Sequence, residues 1–246
     1  MSLNGKIAVV TGGSSGIGFA VAQELIAQGA KVVIAGRRQA QLEEAVTLLG
    51  AQASFKQVDV AKQADLDALY ADVRAKHGKL DIVVANAGVG DIAPLGQITE
   101  EHIDKALNTN IKGVIYTVQQ ALPLLGAGSS VVIIGSTASI DPGPGLSVYG
   151  GVKAALRNMV RSWIQDIKGS GVRLNLLSPG PVNTASLRGM LGDNADEILG
   201  YLAGKSFIGR IGEAEEIARA VAFLASDAAS YIHGAELFAD GGASQI

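Results

Sequence analysis

No cysteine occurs in the 246-residue sequence. Disulfides, thiol catalysis and cysteine-ligated zinc are therefore excluded, although this absence by itself does not report a redox compartment. Histidine is scarce: His77, His102 and His233 are the three present, they lack metal-ligand spacing, and they read as surface or helix-end residues. Aromatic residues make up 4% of the chain against 48% hydrophobic residues, so the core must be built from Ala, Val, Ile and Leu, as in parallel strands buried on both faces. No apolar run approaches the ~20 residues of a membrane span. No Lys/Arg cluster forms a basic stripe, and a formal net charge of -3 gives no reason to expect nucleic acid as a partner. The start, Met1-Ser2-Leu3-Asn4-Gly5-Lys6, has no charged-then-apolar leader, which makes the cytoplasm the expected compartment.

What the sequence does have is a strand-then-helix alternation, repeated from end to end. Ile7 to Val10 leads into the glycine-rich turn Thr11-Gly12-Gly13-Ser14-Ser15-Gly16-Ile17-Gly18, and a helical pattern follows to Gly29. Further strands are predicted at Lys31 to Ala35, Ala53 to Val58, Asp81 to Ala85, Ser130 to Gly135, Val172 to Leu177 and Ala235 to Ala239. Long helices are predicted from Thr99 toward Pro123, with Asn110 inside, from Ser147 to about Lys168, and from Glu213 to Ala225. Seven strands with right-handed crossovers give an α/β fold with an open parallel sheet, whose ligand crevice lies outside the strand carboxyl ends. The stretch from Ser178 to about Phe207 reads as irregular, and a loop of that length suits an active-site lid.

The glycine turn reads as a dinucleotide cradle. Gly12, Gly16 and Gly18 stand where the chain must turn, approach a pyrophosphate and let helix pack on strand, while Ser14, Ser15 and Ile17 bring the helix N-terminus to the phosphates. A mere tight turn is the plainer alternative. About 20 residues on, where an acid normally holds the ribose of NAD, the chain has Gly36 followed by Arg37 and Arg38. Arginine grips a 2′-phosphate that an acid would repel, so NADP(H) is favoured, with NAD(H) left open and Arg38 as readily a solvated surface residue. Asp59 and Val60 end the third strand on the same rim, where a carboxylate can meet the adenine amino group or simply cap a helix.

Tyr149 and Lys153 share one face at the start of a long helix. A neighbouring ammonium favours tyrosinate, lowering a pKa that is ~10 in isolation, and Tyr149 then becomes a general acid or base for an alcohol or ketone oxygen. Ser136, at the end of the fifth strand, can hydrogen-bond that oxygen. Alone, a Tyr-x-x-x-Lys pair is more often a surface-packed tyrosine beside a solvated lysine.

The ordered set Thr11-Gly12-x-x-x-Gly16-x-Gly18, Asn86-Ala87-Gly88, Asn110, Ser136, Tyr149-x-x-x-Lys153 and Pro179-Gly180 resembles the classical short-chain dehydrogenase/reductase family over essentially the whole chain. The resemblance implies a Rossmann-type doubly wound sheet of about seven parallel strands with helices on both faces, formed as one oxidoreductase domain over 1–246 with a lid at about 183–207. It implies Tyr149 as acid/base, Ser136 orienting the substrate, Lys153 tuning Tyr149 and binding the nicotinamide ribose, and Asn110 holding a water that links Lys153 to solvent. Asn86, Ala87 and Gly88 would lie by the adenine ribose, and Pro179, Gly180, Val182 and Thr184 would hold the nicotinamide. A homotetramer is expected, formed through the helices around Asn110 and Tyr149. The lid, with Met190, Leu191, Ile198, Leu199, Tyr201, Leu202 and Phe207, suits a small neutral ketone or secondary alcohol, or is helical packing. Reductases of 3-oxoacyl groups on acyl carrier protein rank lower, because Leu124 to Ser130 has no basic residue to dock an acidic carrier. A non-catalytic NADP(H)-sensing or scaffolding protein is disfavoured by the intact Ser136, Tyr149 and Lys153, and a sugar-nucleotide epimerase or dehydratase by the short chain.

Overall fold

The computed structural model describes residues 2–244. Seven strands form one parallel sheet in the order β3-β2-β1-β4-β5-β6-β7, where β1 is Ile7–Thr11, β2 Lys31–Gly36, β3 Ala53–Gln57, β4 Ile82–Ala85, β5 Ser130–Ile134, β6 Arg173–Pro179 and β7 Glu236–Ala239. In the central strands Val9 stands opposite both Val33 and Val83. Such β-branched runs fit a pleated surface covered on both sides.

Alternate residues of each strand feed two cores. Ala8, Val10, Val32 and Ile34 pack under α1 (Gly16–Ala27) and α9 (Ala214–Ala225). Ile7, Val9, Val83 and Val131 pack on the opposite side, under α3 (Gln63–His77), α5 (Gly113–Ala121) and α6 (Ser147–Asp166). The helix α2 (Gln39–Leu49) connects β2 to β3. Chain order reverses between β1 and β4, and the crevice opens at their carboxyl ends, where a doubly wound sheet binds its ligand.

One expectation is refined and one is overturned. The helix from Thr99 toward Pro123 is unbroken but not uniform: α4 (Glu100–Leu107), capped by the Thr99 hydroxyl, runs through a π-helical turn at Asn108–Lys112 directly into α5. Asn110 is fully buried and pairs its side chain with the backbone of Val89, accepting from its N–H at 3.1 Å and donating to its carbonyl at 2.9 Å. The widened turn accompanies that pairing. Nor is the segment after β6 irregular: it forms α7 (Ala185–Leu191) and α8 (Ala195–Lys205), joined by a short 3-10 turn. The Thr184 side chain caps α7, and Arg188 ties the two helices through Asp196 at 2.8 Å. Their period was hidden by Gly189, Gly192 and Gly200, and no residue of α7 is buried deeply enough to mark a core face.

Candidate active site

At the end of β1 the chain turns through Gly12 and Gly16, both at positive φ (66° and 53°), a conformation that a Cβ disfavours. A Cβ on Gly18 would collide with the Gly12 carbonyl and approach the Asn86 amide nitrogen to 2.5 Å. Gly13, absent from the expected set, is as tightly placed: its Cβ would lie 2.7 Å from Ile34. Ser15 stands at the N-cap of α1 without a side-chain cap bond, and there is no acidic residue in the first turn. The N–H groups of that turn, together with Ser14, the exposed Ser15 and Gly16, and the half-buried Ile17, therefore face no carboxylate from their own helix. This cradle fits a pyrophosphate.

The loop is braced from β4. Asn86 donates its side-chain amide to the carbonyls of Thr11 (3.0 Å) and Gly12 (3.2 Å), and the Thr11 hydroxyl accepts from the N–H groups of Asn86 and Ala87. The Asn86 side chain is thus committed to the glycine loop. Gly88 follows, and a Cβ there would stand 2.9 Å from Asn110 Oδ1 and 3.8 Å from Lys153 Nζ. A side chain there would displace the buried asparagine, while its contact with the lysine would be an ordinary one.

Arg37 and Arg38 lie exposed just beyond β2. Space does not explain the missing acid at Gly36, since a Cβ there meets only ordinary contacts, Leu42 at 3.5 Å and the Ser14 hydroxyl at 3.8 Å. Asp59 closes a local turn by accepting from the Ala61 N–H at 3.1 Å. Val60 belongs to the core, 6% exposed, against Gly113.

Ser136, Tyr149 and Lys153 converge on the carboxyl edge of β5. Tyr149 is half-buried; burial pushes its phenol above the ordinary range, and a hydrogen bond with Ser136 opposes that rise. Lys153 is 5% exposed, and burial lowers its ammonium to about 8. Its Nζ donates to the Ile134 carbonyl at 2.8 Å and lies 5.8 Å from the centre of the Tyr149 ring. The expected lowering of Tyr149 by Lys153 is therefore not the dominant effect. Burial outweighs it, because both groups are desolvated and the lysine leans on a carbonyl. Asn110 likewise spends its side chain on Val89 rather than turning it toward Lys153.

Pro179 closes β6, and the Gly180 N–H donates to the Ala239 carbonyl at 3.1 Å. A Cβ on Gly180 would press on Asp240, at 2.9 Å. Val182 is buried and bridges to Gly212, which pins both ends of the helical pair α7–α8. Thr184 Cγ2 lies 3.4 Å from the Cβ position of Gly16, so this segment starts directly over the glycine loop. Further along, Met190 reaches the crevice: its sulfur is 3.3 Å and the Tyr149 ring 3.4 Å from the Cβ position of Gly90. Met190 belongs to the expected apolar lid, whereas Gly90 stands outside every expected set; its one signal was weak, a second glycine two residues past Gly88.

This crevice is of the kind found in oxidoreductases that work with a dinucleotide. A family model described as enoyl-(acyl carrier protein) reductase matches residues 12–244. The oxidoreductase asL5 of Sarocladium schorii is 44% identical over 246 residues, covering 99% of this chain and 98% of its own. Among solved structures, a short-chain dehydrogenase/reductase of the glucose/ribitol dehydrogenase type from Brucella melitensis superposes with a TM-score of 0.93 at 27% identity, covering 99% of both chains. A 3-ketoacyl-(acyl-carrier-protein) reductase from the same organism, complexed with NADH, gives 0.88 at 29% identity over 99% of this chain and 100% of that one. The chain belongs to the short-chain dehydrogenase/reductase family. It is an oxidoreductase acting on a CH–OH/C=O pair with a nicotinamide cofactor.

Proposed function

We propose that this protein is an NADP(H)-dependent reductase of small, apolar carbonyl compounds, acting in reverse on the corresponding secondary alcohols. The observation that carries the reading is the union, on one sheet edge, of the Ser136–Tyr149–Lys153 group with a glycine cradle whose ribose corner holds Arg37 and no acid. In that cradle Gly12, Ser14, Ser15, Gly16, Ile17 and Gly18 hold the pyrophosphate and Arg37, aided by Arg38, the 2′-phosphate. Asp59, Val60 and Ala87 border the adenosine, and Lys153, Pro179, Gly180, Val182 and Thr184 border the nicotinamide riboside. Bound there, the nicotinamide supplies or accepts the hydride.

The chain's own residues handle the oxygen. Ser136 hydrogen-bonds the substrate oxygen, and Tyr149 donates its phenolic proton to it in reduction or takes that proton in oxidation. Burial keeps the phenol protonated at neutral pH, which suits the reductive direction. Lys153 retains its proton at pH 7 because its midpoint is about 8, so it can return charge and a proton to the phenol. Met190 and Gly90 shape the wall beside Tyr149, and the residues from 183 to 207 act as a lid over it. An acyl carrier substrate, as named for one structural neighbour, is the weaker reading, because the turn from Gly126 to Ser129 that precedes β5 closes on itself without a Lys or Arg. We further propose a single domain, a cytoplasmic location and a homotetrameric assembly.

Turnover of a ketone panel with NADPH and NADH tests this reading. Tyr149→Phe is expected to lower kcat by roughly 100-fold or more while NADPH still binds; unchanged turnover removes Tyr149 from the chemistry. Arg37→Ala is expected to weaken NADPH about 10-fold and leave NADH nearly unaffected. Equal losses for both cofactors would remove the 2′-phosphate role.

A further inference from the structure

A largely buried carboxylate behind the active edge has no part in the chemistry described above. Glu236, on β7, has a side chain 13% exposed, and it joins three separate segments. Its Oε2 pairs with Arg157 Nε at 2.5 Å, and its Oε1 accepts from the Ser178 hydroxyl at 2.8 Å and from the Ser139 hydroxyl at 3.5 Å. Arg157 stands four residues beyond Lys153 on α6, on the same face. Ser139 ends the short 3-10 turn that Ser136 caps. Ser178 directly precedes Pro179-Gly180, and its hydroxyl occupies the space that a Cβ on Gly135 would need, next to Ser136. Each partner of Glu236 is therefore within four residues of a group proposed to act on substrate or nicotinamide.

Stability alone is a weak account of this arrangement. Arg157 keeps 31% of its side chain exposed while Glu236 is largely withdrawn from water, and well-packed apolar residues commonly do as well as an ion pair in such a place. What an apolar residue at position 236 cannot do is hold α6, the Ser136 turn and the end of β6 in one register through directed bonds.

We propose that Glu236 is a positioning residue that sets the separation of Ser136, Tyr149 and the Pro179-Gly180 turn through Ser139, Arg157 and Ser178. A displacement of about 1 Å among groups holding a reacting substrate can cost 100-fold in rate. The proposal rests on the roles given to Ser136 and Tyr149, so its test has an arm that needs no turnover.

In the cofactor-free protein labelled with 13Cζ-tyrosine, the Tyr149 resonance is identified by its loss in Tyr149→Phe. Glu236→Gln and Glu236→Leu are expected to shift that resonance, and Glu236→Asp to return it part of the way; a resonance unmoved in Glu236→Leu overturns the proposal. In the kinetic arm, Glu236→Gln and Arg157→Met are each expected to lower kcat about 10-fold with KM changed less than twofold. The double variant is no slower than the slower single one, because both break the same link. Wild-type kcat in a folded Glu236→Gln protein, or losses that simply multiply, overturns it. Should Glu236→Leu fail to fold, Glu236→Gln, which preserves shape, carries both arms. A parent protein inactive with NADPH and NADH would defeat the proposed function, and the resonance of Tyr149 would still decide the role of Glu236.

Discussion

At the residue scale, the chemistry hangs on how little room and how little water surround a few side chains. Gly90 leaves a gap that the sulfur of Met190 and the ring of Tyr149 share, so the size of residue 190 sets how much substrate can lie beside the phenol. Met190→Ala is expected to raise kcat/KM for a bulky aryl ketone about 10-fold relative to a small aliphatic one, measured as a ratio with a single cofactor. An unchanged ratio would place the substrate elsewhere. Lys153 carries a second prediction. Its midpoint falls from 10.5 to about 8 on burial, so between those values the unfolded chain holds a proton that the native protein has released. Stability contributed by this group therefore rises with pH across that window and is lowest below about 8, where the native state must bury the charge at a cost of roughly 3 kcal/mol. Denaturant titrations of the cofactor-free protein should show the parent gaining stability relative to Lys153→Met from about pH 8 to 10.5. A constant difference would mean the lysine titrates normally.

At the scale of elements, the sequence and the structure part company where side chains bond to distant backbone. The central strands were legible because parallel strands buried on both faces must be runs of Val, Ile, Leu and Ala, and β1 with its glycines could be read almost residue by residue. The grouping of the candidate residues was legible too: Ser136, Tyr149 and Lys153, singled out by type and spacing, lie together at the carboxyl edge of β5. The π-helical turn at Asn110 was not, because the backbone to which the Asn110 side chain bonds, that of Val89, lies 21 residues away. The ties of Glu236 were hidden for the same reason: Ser178 is 58 residues distant in sequence. Arg173 is a further example. It looks like a charged interruption of β6, yet it is 9% exposed and donates to the carbonyls of Leu224, Ser226 and Ala229, at and just beyond the end of α9, at 2.8 to 3.0 Å. The last carbonyls of a helix lack donors from a following turn, and a cation there also suits the helix dipole. Arg173→Met should destabilise the fold by about 2 to 4 kcal/mol, read as a Tm lowered by roughly 5 to 15 °C. Turnover per folded molecule should be unaltered, since no site residue leans on this cap.

At the scale of the whole molecule, the remaining question is what covers the apolar residues that the sheet leaves outside. Large apolar side chains stand exposed on several helices, Leu48 (71% exposed) on α2 and Tyr201 (64%) on α8 among them, and α4 presents Ile103 (40%) and Leu107 (43%) one turn apart, with Leu122 (36%) just after α5. Ile103 and Leu107 lie on the helix that runs into the π-helical turn carrying Asn110, and α4 packs against α6, which carries Tyr149 and Lys153. Isolated exposed apolar residues need no explanation, but two at helical spacing beside the site form a stripe that a second copy can cover. Assembly through this face would therefore stiffen the two helices on which proton transfer depends. Replacing Ile103 and Leu107 together by glutamate puts charge in the centre of that stripe, and light scattering should then report a smaller species than the tetramer expected of the parent. kcat should fall with dissociation while the dissociated chain keeps its secondary structure. A parent that is monomeric at micromolar concentration, or an Ile103→Glu, Leu107→Glu double variant of unchanged mass, would mean that this stripe faces solvent and that α4 and α6 hold the site without a partner.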